Sequence, residues 1–347
     1  MQDWAVIVGI AHYPGRGLKP LLGPVADAED FRTWLRDPNG GGLTDDARIK
    51  YTSSDDFPKA KTFPRARPNQ SDVQILFDEV RDEVAASPEG MGRRLWVYMS
   101  GHGCTALSLQ SLDTVALILA NSEDPDPLRG YPAVLKADLW RRRPLFEEAV
   151  VILDCCRDIA TNAVAPLDEG AVALDGKHGR LATFLATGWD SKAREVDFQI
   201  DGQTVRRGLF TKALLEVLRD ARGRVDGWQL REAVQARLAP KLKELKLSGP
   251  EIRGAPNDDI LKAITFNEAQ GEPVGELVIR RANGLPPPDL VRAVWPPVPV
   301  VTGRDPADPW LPVGLYALRH AGKDAREPFQ IYPGVQTVVD LRAELFQ

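Results

Sequence analysis

The sequence predicts an α/β fold: a three-layer sandwich around a mostly parallel sheet, with a small β-rich region at its C-terminal end. Two observations carry the sandwich. Residues 4–10, 95–99 and 150–153 are short, almost wholly apolar runs, the pattern of strands buried on both faces. Amphipathic helical patterns lie between them, in the alternation that builds parallel sheets. A third observation places the chemistry. Two of the runs end in polar motifs, Ser100-Gly101-His102-Gly103 and Asp154-Cys155-Cys156-Arg157. Open α/β sheets hold their sites at the carboxyl ends of their strands.

In chain order, the run at 4–10 is the first strand, and a Gly/Pro-rich loop follows from His12 to Gly23. Pro24 suits the first position of a helix whose apolar stripe is Val25, Ala28, Phe31 and Leu35; Asp37-Pro38-Asn39-Gly40 ends it. Residues 48–52 form a short strand, and 53–70 a loop rich in Ser, Asp, Pro and basic residues. Ser71 and Gln74 have capping-box spacing ahead of a face made by Val73, Leu76, Phe77, Val80 and Val84. Residues 113–121 alternate weakly, as a hairpin strand would. A helix spans 132–143 before the cysteine strand, and 181–186 is a further strand. Leu209, Phe210, Ala213, Leu214, Val217 and Leu218 mark one later helix; Trp228, Leu230, Val234 and Leu238 mark another.

Composition shifts near residue 270. Residues 271–347 hold 12 of the chain's 28 prolines, a density that excludes long helices. Runs at 276–279, 315–318 and 337–340 read as strands between turns. The domain division expected is therefore 1–265 for the α/β unit and 266–347 for a sandwich-like β region. The latter is too small for a large core of its own and is expected to dock on its neighbour.

The 347 residues are 43% hydrophobic and 27% charged, an ordinary globular balance. A net charge of −5 is too mild to point to nucleic acid or an anionic membrane as partner. No apolar stretch reaches the length of a membrane span, and Met1-Gln2-Asp3-Trp4 lacks the basic start of a signal peptide. Three cysteines, two of them adjacent, do not make a disulfide framework, so a reducing cytoplasm is the expected compartment.

A cysteine nucleophile needs a base within reach, because the thiolate attacks. His102 is the candidate base. Its separation from Cys156, 54 residues, fits one strand–crossover–strand unit. Gly101 and Gly103 let the backbone turn tightly there. The N–H groups of Gly103 and Cys156 are candidates for an oxyanion hole. Taken alone, a buried cysteine is usually inert and a loop histidine usually only a loop residue. Their placement at two strand ends in compatible order makes the pair stronger than either. Zinc on His102, Cys104 and Cys156 is a weaker rival, since no paired C-x-x-C spacing exists. A cysteine phosphatase would want an arginine six positions after its nucleophile, where this chain has Thr161 or Asn162.

The two motifs resemble those of caspase-like cysteine peptidases, including metacaspases and their bacterial relatives. Val6-Ile7-Val8-Gly9-Ile10 with Tyr13-Pro14 resembles that family's opening strand and loop, and residues 21–28 its first helix. Gly208-Leu209-Phe210-Thr211-Lys212-Ala213-Leu214 resembles its large later helix. The resemblance covers about residues 4–264 and implies a caspase-like sandwich acting on protein or peptide substrates. It implies Cys156 as nucleophile, His102 as partner and Cys155 as a structural residue. Where metacaspases continue His-Ser-Gly, this chain has Arg157-Asp158-Ile159.

By the same resemblance Asp27 and Asp154 line the primary specificity pocket. Asp154 lies two positions before Cys156 and so on the same side of the strand. Two carboxylates favour cleavage after Arg or Lys, Arg foremost. Arg157 alone cannot build an aspartate-selective pocket. No metal and no cofactor are expected; calcium activation has no support in Asp124 and Asp126, which read as a solvated loop.

With the first strand beginning near Trp4, control is expected in a loop or in the C-terminal region rather than in an N-terminal adaptor. Cleavage within 157–180, by itself or by an upstream protease, is the expected activation step, with 53–70 the second choice. Bacterial relatives imply a stress or antiviral role. The alternative from another class is a catalytically inactive scaffold of the same fold.

Overall fold

A computed structural model describes residues 1–106, 115–124, 128–143, 145–160, 163–164, 179–200, 202–281, 289–292, 298–299, 310–320, 323–324 and 328–341. The chain opens with β1 (Asp3–Gly9), α1 (Pro24–Arg36), β2 (Ile49–Ser53), α2 (Gln70–Ala85) and β3 (Gly92–Ser100). Three short strands, β4 (Gly103–Ala106), β5 (Val115–Ile118) and β6 (Leu128–Tyr131), precede α3 (Ala133–Arg142) and β7 (Phe146–Asp154). Then come β8 (Asp158–Ala160), β9 (Ala163–Val164), β10 (Arg180–Leu185) and a hairpin of β11 (Glu195–Ile200) with β12 (Gln203–Gly208). The unit closes with α4 (Leu209–Asp220), β13 (Val225–Asp226), α5 (Gly227–Leu245), β14 (Glu251–Ala255) and β15 (Thr265–Phe266).

Six strands make the central sheet in the order β14-β10-β7-β3-β1-β2. All neighbours are parallel except β14, which runs antiparallel to β10. The mostly parallel sheet is thus as expected. Side-chain alternation splits each central strand between two cores. Val6, Val8, Leu95, Val97, Met99, Val151 and Leu153 face a core shared with α2 and α3. Ala5, Ile7, Trp96, Tyr98, Val150 and Ile152 face the one shared with α1, α4 and α5. Within the central strands the buried charges Arg94 and Glu148 are accepted as an ion pair near the strand starts, and the remaining polarity collects at the carboxyl ends.

One helix start differs from expectation. The capping box of α2 is Asn69 with Asp72, two residues ahead of the Ser71/Gln74 pair. Asn is as good a cap as Ser, and the Asp72 carboxylate that returns to the Asn69 N–H is also held by Arg67. Of the weakly alternating stretch 113–121, residues 115–118 form β5, and 113–114 lie outside the described residues.

Beside the central sheet, β8-β4-β5-β6-β9 form a second, five-stranded one. The C-terminal region is β-rich. Val274–Arg281 lies between Trp310–Pro312 and Gln336–Leu341, and Gly314–His320 pairs with Asp289–Arg292, Lys323–Asp324 and Phe329–Ile331. Among the described residues its own core is centred on Leu311, Tyr316 and Ile331. It grips the end of α4. Val274 N–H donates to Ala221 O at 2.9 Å, and Val335 joins the α4/α5 core. Arg237 on α5 donates to Gly334 O at 2.7 Å. No helix among the described residues is long and apolar enough to cross a membrane.

Candidate active site

Strand register brings the two motifs to one edge. Gly9, Ser100 and Asp154, the last residues of β1, β3 and β7, are paired across the sheet. His102 and Cys156 each follow two residues later. Both line a cleft of about 850 Å³ whose walls also include Gly103, Asp27, Asp154, Lys192 and Glu195.

His102 gives its Nε2 to the carbonyl of Lys19 at 2.7 Å. A carbonyl only accepts, so Nε2 carries the proton and Nδ1 is the basic nitrogen. Burial pulls the imidazole pKa below its usual 6.5, the Lys19 bond opposing it. The Cys156 thiol points toward the carbonyl of Ala193, 3.8 Å away, and burial raises its pKa above 9.0. No hydrogen bond joins His102 to Cys156. Both shifts favour the neutral form of the group. Cys155 is 2% exposed and belongs to the core, as its place on the opposite side of the strand requires.

Gly103 is required by close approach. A Cβ there would lie 2.4 Å from Cys155 Sγ and 2.6 Å from Cys156 O. Neither its backbone N–H nor that of Cys156 enters a loop or side-chain hydrogen bond among the described residues.

The acids converge at the start of α4. Gly208, the residue before its first turn, has no side chain to cap the helix. Carboxylates from distant elements cap it instead. Asp27 Oδ2 accepts Gly208 N–H at 2.8 Å, and Asp154 Oδ2 accepts Thr211 N–H at 3.0 Å. The positive end of the helix dipole faces both. Even so, burial dominates and raises both pKa values, Asp27's to about 8 with the Asp154 charge as second cause. Arg207, 3.7 Å from Asp27 Oδ1, only partly offsets this. A Cβ on Gly208 would sit 2.3 Å from Asp154 Oδ2, so glycine there is what lets the two acids meet.

Glu195 is a third carboxylate at this end of the cleft, and the sequence reading missed it. Its Oε1 accepts the N–H groups of Leu22 and Gly23 at 3.0 and 2.6 Å. It opens a half-exposed hairpin whose alternation of Val196, Phe198 and Ile200 with polar residues marks a strand but gives no sign that Glu195 reaches the cleft. The Lys19 carbonyl was equally invisible, because a backbone atom has no residue-type signature. Arg157 is buried away from the cleft, ion-paired to Glu251 and lying over Trp189 at 5.7 Å. Among the described residues no three ligand-type side chains come close enough to hold a metal ion. Most of the segment expected to be processed, 161–178, lies outside the described residues apart from β9, as does Asp126.

The family model for the caspase domain of Peptidase C14 matches residues 2–254. The chain belongs to the caspase family. Its members are generally cysteine peptidases. Two solved structures are among those similar to this caspase-family chain. A protein from Geobacter sulfurreducens is 15% identical, with a TM-score of 0.47 over 76% of this chain and 97% of that one. Pro-sf-caspase-1 is 14% identical, with a TM-score of 0.42 over 72% of this chain and 86% of that one. No curated protein matches.

Proposed function

We propose that this caspase-family protein is a cysteine endopeptidase that cleaves after Arg or Lys, with its peptidase unit ending near residue 265. The observation that carries the reading is the single cleft that His102 and Cys156 share with the paired acids Asp27 and Asp154. Nδ1 of His102 takes the thiol proton as Cys156 Sγ attacks the scissile carbonyl. The oxyanion so formed is met by the N–H groups of Gly103 and Cys156. Collapse of the tetrahedral intermediate breaks the C–N bond, and the imidazolium returns its proton to the departing amine. Water, deprotonated by His102, then cleaves the thioester and regenerates the thiol.

The cationic side chain before the scissile bond enters beside Asp27, Asp154 and Glu195. An apolar side chain there would bring the acids neither a counter-charge nor a further hydrogen bond. The test compares Arg, Lys, Asp and Leu fluorogenic peptides on the wild type and on Cys156→Ala, His102→Ala, Asp27→Ala and Asp154→Ala. Arg and Lys peptides are expected to be cleaved, and only by chains that keep both dyad residues. Preference for Asp or Leu, or full activity without His102 or Cys156, overturns the reading.

A scaffold without activity is the second reading, favoured by the missing bond between His102 and Cys156. Catalytic hydrogen bonds often tighten only when substrate binds. A cysteine-reactive peptide probe that leaves Cys156 unmodified under every activating condition would favour the scaffold.

A further inference from the structure

Tyr13 lies in the loop after β1 with 1% of its surface exposed. A phenol so buried needs hydrogen-bond partners. Its hydroxyl donates to the carbonyl of Ile118 at 3.1 Å and accepts the backbone N–H of His102 at 3.0 Å. Ile118 in turn sends its own N–H to the His102 carbonyl at 2.8 Å. The two peptide groups of His102 are thus closed into one ring of hydrogen bonds through Tyr13 and Ile118. The phenol ring also meets the imidazole edge-on, centroids 4.7 Å apart at 61°.

This lock falls where the chain needs one. Pairing within the central sheet stops at Ser100, and pairing in the second sheet starts at Gly103. His102 sits in the gap, where its carbonyl is met directly by Ile118 N–H but its own N–H reaches β5 only through the Tyr13 hydroxyl. Gly101 is shaped by the same contact, since a Cβ there would lie 2.5 Å from the Tyr13 hydroxyl oxygen. Lys19, whose carbonyl orients Nε2, is six residues beyond Tyr13 in the same loop.

We infer that Tyr13 is the positioning residue for His102, fixing the backbone from which the imidazole is aimed. The inference rests on the dyad proposed above. Misplacing a catalytic group by about 1 Å can cost on the order of a hundredfold in rate. Tyr13→Phe keeps the ring and removes the link between His102 and Ile118.

The experiment has two arms on the full chain. In the first, steady-state hydrolysis of an Arg peptide is measured from pH 5 to 9 for the wild type and Tyr13→Phe, with active-site titration to count folded enzyme. The expected result is a fall in kcat of roughly 10- to 100-fold per titrated site with KM within about twofold. The acid limb of the profile moves up toward the ordinary imidazole value as the ring gains access to water. In the second arm, the His102 imidazole is titrated by NMR in a Cys156→Ala background, with and without Tyr13→Phe. The signal is assigned by its loss in His102→Gln, and its midpoint is expected to rise. An unchanged midpoint, or an unchanged kcat per titrated site, overturns the inference. A wild type that cleaves no peptide overturns the proposed activity alone, because the NMR arm reads the positioning without turnover.

Discussion

Thr211 holds one oxygen of Asp154 twice, from its backbone N–H at 3.0 Å and from its hydroxyl at 2.7 Å. The hydroxyl also meets the Tyr98 hydroxyl at 2.8 Å, which ties the pocket floor to the central sheet. Thr211→Val keeps the backbone bond and the shape but removes the second donor. Hydrogen bonds to charged groups contribute about 1.5–3 kcal/mol. KM for Arg peptides is expected to rise by about tenfold or more while kcat changes little. Michaelis–Menten kinetics of the variant check this; an unchanged KM would mean Asp154 does not meet the substrate.

The raised pKa of Asp27, about 8, gives the pocket a pH dependence of known sign. Below that value the empty pocket keeps a proton on Asp27, which a cationic side chain must displace. KM for Arg peptides should therefore fall as pH rises toward 8 and level off above it. In Asp27→Asn that trend should be absent. Measuring KM from pH 6.5 to 9.5 for both proteins decides the matter.

A thiol and an imidazole both shifted toward their neutral forms predict slow alkylation. Burial holds the Cys156 pKa above 9.0, so the iodoacetamide rate should climb through and beyond pH 9. His102→Ala should leave that curve in place yet lower kcat by roughly 10²–10⁴-fold, the usual contribution of a general base. An alkylation midpoint below pH 7 would instead mean a preformed thiolate–imidazolium pair.

Gly334 has φ +62°, and a Cβ there would come 2.3 Å from the Val217 carbonyl oxygen in α4. Gly334→Ala should destabilise the protein by roughly 1–3 kcal/mol, through backbone strain and overpacking. Thermal unfolding of the two proteins measures it, and an unchanged Tm would show that this contact gives way.

How much was legible beforehand follows from what each position must satisfy. Residues 95–99 and 150–153 are buried on both faces, which leaves few choices but apolar ones and makes their polar ends conspicuous. His102 and Cys156 could be picked out for that reason. Asp27 and Asp154 came through family resemblance, because an acid in a first helical turn has an ordinary explanation in the helix dipole. Glu195, the Lys19 carbonyl and the Tyr13 hydroxyl act across 172, 83 and 89 residues of chain. Only the folded chain brings them to their partners. The true cap of α2 was passed over because Asn69-x-x-Asp72 and Ser71-x-x-Gln74 offer the same chemistry two residues apart.

Helix α4 has 12 residues, about 18 Å of rigid rod, and each of its ends is occupied. At the first, Gly208 and Thr211 fix the two buried acids; at the other, Val274 and Gly334 of the β-rich region close on Ala221 and Val217. The donors that hold the carboxylates and the contacts of the β-rich region thus sit on one rigid element. Among the described residues the β-rich region meets this rod at the end opposite the two acids, so whatever it does to their spacing has to travel along the helix axis.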